Sequence, residues 1–171
     1  AYQEIGEGTR LLAKLTSGDT LKVLAPLGNG FDLSPKNSHL MLIGGGIGRA
    51  PIEWLAEKLH AKGNQITLIF GAKTKEGLGG LLDTSNLNSI NLYLVTEDGS
   101  IGQKGLVTDL MAQVNQVDCI YACGPTPMME AVKRIAKERN IPIQLSLEGK
   151  MACGVGVCLG CTCNSKEKTN Y

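Results

Sequence analysis

From Ser38 onward, short apolar runs recur along the chain, at Leu40–Ile43, Ile66–Phe70, Leu92–Val95, Cys119–Ala122 and Ile143–Leu147. Few polar residues interrupt them, which is the mark of strands buried on both faces. Between the runs, apolar positions repeat at helical spacing over Ala50–Ala61, Gly105–Val114 and Pro127–Arg139. The alternation predicts an α/β fold, a doubly wound parallel sheet with its ligand at the C-terminal ends of the strands.

The first 35 residues follow another pattern. Leu11, Leu12 and Leu15 predict a helix over Thr9–Leu15 with Thr9 as its N-cap. After the turn Ser17-Gly18-Asp19, the alternating segment Leu21–Leu24 predicts a strand. One strand without partners is not stable, so this part reads as the end of a small β-rich unit whose remaining strands lie in a longer protein. The expected organisation is therefore 1–35, the end of that unit; 36–147, the α/β domain; and 148–171, a cysteine-bearing region.

Charge narrows the choice of partners. The 17 Lys and Arg residues nearly balance the 16 Asp and Glu, and no long basic stretch exists. Nucleic acid and anionic membrane are poor partners for such a surface. The apolar runs fall far short of the ~18 residues that span a bilayer, and the opening residues carry no export signal. A cytoplasmic protein is expected.

Glycine and cysteine carry the chemistry. The first strand runs directly into Gly44-Gly45-Gly46-Ile47-Gly48, and a helix follows. Glycines at a strand-to-helix turn let the backbone approach a pyrophosphate, which the helix N-terminus favours; the plain alternative is a tight turn without a ligand. The second strand ends in Gly71-Ala72-Lys73 with no acidic residue for a ribose 2′-hydroxyl. Lys73 and Lys75 suit a 2′-phosphate, but two surface lysines more often mark a solvated loop, so NAD and NADP both stay open. A second turn, Cys123-Gly124-Pro125, ends another strand; Cys123 there is either a neighbour of a nicotinamide or a small buried apolar residue. Cys119, in mid-strand, is assigned to the core.

Four of the six cysteines, Cys153, Cys158, Cys161 and Cys163, fall within eleven residues. Clustering of this kind indicates metal or redox chemistry rather than a disulfide framework. The spacing C-x4-C-x2-C of the first three is that of plant-type [2Fe–2S] sites. Gly154, Gly156 and Gly160 let the loop curl and turn backbone N–H groups toward sulfur. Zinc is the rival, although its sites usually come as two C-x2-4-C pairs. Cys163 lies too close to Cys161 for a distant fourth ligand, and its role stays open.

The segments GEGTRLLAKL (6–15), PLGNGF (26–31), GGGIGRAP (44–51), CGPTPMM (123–129) and LEGKMACGVGVCLGCTC (147–163) together resemble the electron transfer subunits of dihydroorotate dehydrogenase B. These form a branch of the ferredoxin reductase-like flavoproteins. The resemblance implies three cofactors, FAD, NAD and a [2Fe–2S] cluster. It also implies a partner, an FMN-containing dihydroorotate dehydrogenase catalytic subunit, in a heterotetramer of two of each. Electrons would pass from that FMN through the cluster and FAD to NAD⁺, in pyrimidine biosynthesis. By position, Tyr2, Gln3, Gly8 and Thr9 would contact FAD; Gln3 stands where the family usually has Arg. Gly44, Gly45, Gly46, Gly48, Cys123, Gly124 and Pro125 would hold NAD, and Cys153, Cys158 and Cys161 the cluster. The family's flavin motif on an earlier strand and its fourth cluster cysteine are not in this sequence, which points to an internal portion of a longer subunit. No catalytic acid–base set is expected here; that chemistry falls to the partner. Two alternatives remain: another NAD(P)H-linked flavin and iron–sulfur reductase subunit, of sulfide dehydrogenase or ferredoxin reductase type, and a non-enzymatic metal or redox sensor.

Overall fold

The computed structural model describes residues 2–78, 90–147 and 151–161. The chain divides into two compact units, one of Ala1–Gly30 with Leu147–Tyr171 and the other of Phe31–Ser146.

In the first unit the described residues contain one helix, α1 (Glu7–Ala13), with Gly6 as N-cap. Thr9 is not the cap. It sits three residues inside, where its hydroxyl accepts from the Ile5 and Gly6 N–H groups, each at 3.0 Å, and donates to the Gly6 carbonyl. That reach back over the first turn moves the start of the helix earlier than Thr9. The expected strand at Leu21–Leu24 does not form. Among the described residues no ladder partner lies beside it, and Leu21, Val23 and Leu24 stay exposed.

The second unit holds a sheet of six parallel strands, β1 (His39–Gly45), β2 (Gln65–Ala72), β3 (Asn91–Thr96), β4 (Gln103–Lys104), β5 (Cys119–Cys123) and β6 (Ile143–Ser146), in the order β4-β3-β2-β1-β5-β6. Helices α2 (Arg49–His60), α3 (Val107–Met111) and α4 (Thr126–Glu138) connect strands. Alternate residues of β1, β2, β3 and β5 feed two separate cores. Leu40, Leu42, Leu68 and Phe70 pack with Ile52, Leu55 and Leu59 of α2. Met41, Ile43 and Ile69 pack with Val107 and Leu110 of α3 and Val132 of α4. Helices on both faces explain why the strands read as continuous apolar runs.

The helix expected over Gly105–Val114 is shorter. Gly105 has φ +143 and Leu106 is extended, with its N–H donating to the Asp109 carboxylate at 2.8 Å, so α3 starts only at Val107. At its other end Arg139 Nη1 donates to the Met111 and Val114 carbonyls at 2.9 and 3.2 Å, satisfying groups the helix leaves open. The two-residue β4 is too short to leave a pattern in the sequence.

Candidate functional site at the strand-order switch

Successive strands run outward from β1 to β4, and the chain then returns to place β5 on the other side of β1. That reversal opens a crevice beyond the C-terminal ends of β1 and β5, where ligands bind in such sheets. The two turns singled out in the sequence meet there. Gly44 of β1 is in register with Cys123 of β5, so Gly44–Gly48 and Cys123-Gly124-Pro125 leave the sheet side by side.

The glycines of these turns divide into two kinds. A Cβ on Gly45 would lie 2.5 Å from Met128 Sδ, and one on Gly48 would lie 2.3 Å from the Cys123 carbonyl oxygen and 2.9 Å from the Gly124 nitrogen. One on Gly124 would meet the Gly45 nitrogen at 3.0 Å, and one on Gly44 would meet the Phe70 ring at 2.8 Å. Gly48 and Gly124 are glycine because the two loops meet there backbone to backbone, and Gly44 and Gly45 because the Phe70 ring and the Met128 side chain close over them. Gly46 differs. It has φ +54, and a Cβ there would meet nothing within 4 Å. It is the glycine of the turn that faces open space, where a phosphate can approach the backbone. From Gly46 the chain makes a short 3-10 turn and enters α2 without a break, so the free N–H end of that helix borders the same opening. Pro125 is the N-cap of α4. Cys123 is 2% exposed and packs with the α2-side core.

Around the end of β2, the loop of Lys73 and Lys75 runs against the turn after β3. Asp98 N–H donates to the Lys73 carbonyl, and Lys75 N–H donates to Ser100 Oγ at 2.8 Å. The Ser100 N–H and hydroxyl both donate to Asp98, which holds its carboxyl below the usual carboxylate range. Asp98 and Ser100 escaped the sequence reading because they follow β3; only the parallel β2–β3 pairing brings them to this edge. Arg49, directly after the glycine turn, was also missed.

In the other unit, Tyr2 and Gln3 are exposed and precede α1, and Gly8 and Thr9 lie in its first turn. The loop at 153–161 curls through positive φ at Gly154, Gly156 and Leu159. It aims N–H groups at Cys153, whose Sγ accepts from the Cys158 N–H at 3.4 Å. Hydrogen bonds from the Cys158, Val155 and Val157 backbone lower the Cys153 thiol to about 6. A sulfur so hydrogen-bonded is ready to act as a thiolate ligand, and its chemistry suits iron or zinc. Among the described residues, however, no three potential ligands are gathered closely enough to hold a metal ion. Cys163 lies outside the described residues. None of the described helices is long and apolar enough to cross a membrane.

Residues 42–134 match the profile of the oxidoreductase NAD-binding domain, and residues 148–171 match that of the iron–sulfur cluster binding domain of dihydroorotate dehydrogenase B. The chain is similar to the dihydroorotate dehydrogenase B (NAD(+)) electron transfer subunit of Caldanaerobacter subterraneus subsp. tengcongensis, at 40% identity over 99% of this chain and 66% of the relative. The Clostridium acetobutylicum protein of that name is 41% identical over 96% of this chain and 65% of its own length. The chain thus spans just under two thirds of the curated relatives it matches. Among solved structures, an NADH-dependent reduced ferredoxin-NADP oxidoreductase studied for flavin-based electron bifurcation superposes with TM-score 0.82. It is 36% identical, over 94% of this chain and 59% of the other. A flavohemoglobin from Malassezia yamatoensis shares the fold, with TM-score 0.54 and 23% identity over 68% of this chain and 33% of its own. Fold, turn geometry and matched profiles agree: the chain belongs to the oxidoreductase NAD-binding domain family and carries after that domain a region of the dihydroorotate dehydrogenase B iron–sulfur type.

Proposed function

We propose that this chain is the NAD-binding and cluster-binding portion of an electron transfer subunit that serves a dihydroorotate dehydrogenase. The observation that carries the reading is the order of parts. A switch-point crevice with one open glycine, Gly46, is followed by a loop that points N–H groups at Cys153 within C-x4-C-x2-C. When bound, NAD, FAD and the cluster supply the hydride and single-electron chemistry, and the protein supplies position and electrostatics.

The chain's own residues have separate tasks in this reading. Gly46 and the start of α2 receive the pyrophosphate, while Gly44, Gly45, Gly48, Gly124 and Pro125 hold the two turns together and Cys123 closes the floor of the crevice. Cys153, Cys158 and Cys161 are thiolate ligands. Tyr2, Gln3, Gly8 and Thr9 lie on the FAD side. The exposed Leu11, Leu21, Val23 and Leu24 support the presence of further protein surface over that unit. The partner is a catalytic subunit holding FMN, in a two-plus-two assembly in the cytoplasm, and acid–base chemistry belongs to it. The domains divide by function as 1–35, 36–147 and 148–171.

A second reading, an NADH-linked reductase subunit with another electron partner, is favoured by the TM-score of 0.82 to the ferredoxin-NADP oxidoreductase. Co-purification of the full-length protein separates the two. Recovery of a partner that carries FMN and oxidises dihydroorotate, with an iron–sulfur absorption band bleached by NADH, is the expected result; a different redox partner overturns the first reading. Iron and sulfide content of Cys163→Ser, unchanged from the parent, removes Cys163 from the ligand set.

A further inference from the structure

Arg49 is the first residue of α2, yet only 17% of its side chain is exposed. Its Nε donates to Glu53 at 3.3 Å, its Nη1 donates to the Leu78 carbonyl in the turn after β2, and its guanidinium carbon lies 6.0 Å from the centre of the Phe70 ring. Gly44 makes room for this arrangement, since a Cβ there would lie 2.9 Å from Arg49 Cα and 2.8 Å from the Phe70 ring. One side chain therefore ties the turn after β1 to the turn after β2. An i,i+4 ion pair serving only the helix surface would explain neither the carbonyl bond nor the ring contact.

In a doubly wound sheet these two turns hold different parts of a dinucleotide, the first its pyrophosphate and the second its adenosine ribose. We propose that Arg49 is a positioning residue for the dinucleotide, fixing the two turns relative to each other so that a ligand spanning both meets a preorganised site. The proposal rests on the NAD reading of this domain. A planar guanidinium can make both bonds while lying over the ring; an ammonium group has the charge but not the fork.

The test uses full-length protein with its partner and three probes: ADP-ribose, inorganic pyrophosphate and NADH. For Arg49→Gln, ADP-ribose affinity is expected to fall about tenfold, the loss of one charge-assisted hydrogen bond. The KM for NADH should rise with kcat held, while inhibition by pyrophosphate alone, which touches one turn, is unchanged. Arg49→Lys should recover part of the loss. Glu53→Gln leaves the carbonyl bond in place and should show a smaller loss of the same kind; it also serves if Arg49→Gln fails to fold. Equal weakening of pyrophosphate would make Arg49 a direct ligand and overturn the proposal, as would unchanged ADP-ribose affinity. Wild-type protein that binds neither ADP-ribose nor NADH refutes the NAD reading, and the proposal falls with it.

Discussion

Replacing Gly48 by alanine separates packing from conformational freedom. Gly48 has φ −62 and ψ −9, a helical conformation any residue adopts, so alanine carries no backbone strain there. On propensity and unfolded-state entropy alone, Gly48→Ala should stabilise by about 1 kcal/mol. The new Cβ, however, would lie 2.3 Å from the Cys123 carbonyl oxygen, where a close C···O contact is about 3.3 Å. The two turns must therefore part by about 1 Å. Overpacking costs about 1–3 kcal/mol, and here both sides are backbone with no rotamer to give way, so the upper end applies. The net expectation is a loss of about 2 kcal/mol, or roughly 6 °C in Tm for a domain of this size. Urea and thermal unfolding of the full-length protein read it directly. A Tm at or above wild type would refute the interlocking of the two turns. Gly46→Asn is the companion: asparagine tolerates the positive φ, and nothing stands within 4 Å of its Cβ. Its stability should stay near wild type while NADH affinity falls, because the side chain enters the opening itself; unchanged affinity would place the phosphate elsewhere.

Two further substitutions test the frame around the site. Arg139→Leu strips the Met111 and Val114 carbonyls of their donor and should cost about 1–2 kcal/mol, read as a lower urea midpoint with NADH affinity unchanged. Tyr121 is fully buried, donates to the Asp32 carbonyl at 3.1 Å, and has its phenol pushed above the ordinary tyrosine value by burial. A raised pKa means the folded state favours the neutral phenol, so its contribution is intact below pH about 10 and lost as pH rises beyond that. Tyr121→Phe should cost about 1 kcal/mol near neutrality and flatten the alkaline fall in stability; an unchanged alkaline fall would assign it to other groups.

The sheet was legible because burial between two helical layers writes itself into the sequence of every strand but the exposed, two-residue β4. The five apolar runs expected from the sequence are five of the six strands, and the helices at Ala50–Ala61 and Pro127–Arg139 differ from α2 and α4 by a residue or so at each end. The first unit was less legible for the same reason. Leu21, Val23 and Leu24 alternate as a strand does, but alternation records a preference for one covered face, and nothing among the described residues covers it. The short α3 was overextended because apolar spacing continues to Val114, past the point where Arg139 diverts the carbonyls. That contact comes from 25 residues away in the chain, and no local pattern carries it.

The same limit applies inside the candidate site and has a chemical consequence. In the string Gly44-Gly45-Gly46-Ile47-Gly48 the glycines are equivalent letters, and a phosphate-binding turn predicts all of them alike. The structure assigns three to sterics: Gly44 to the Phe70 ring, Gly45 to Met128 and Gly48 to the Cys123 carbonyl. Only Gly46 is left with both a positive φ and an open face. A turn built this way need not rearrange to admit a ligand, since its shape is already fixed by the loop after β5 on one side and by Arg49 on the other. The entropy of ordering the site is then met in folding rather than in binding. Loosening either brace should therefore weaken dinucleotide binding without touching any atom that contacts it.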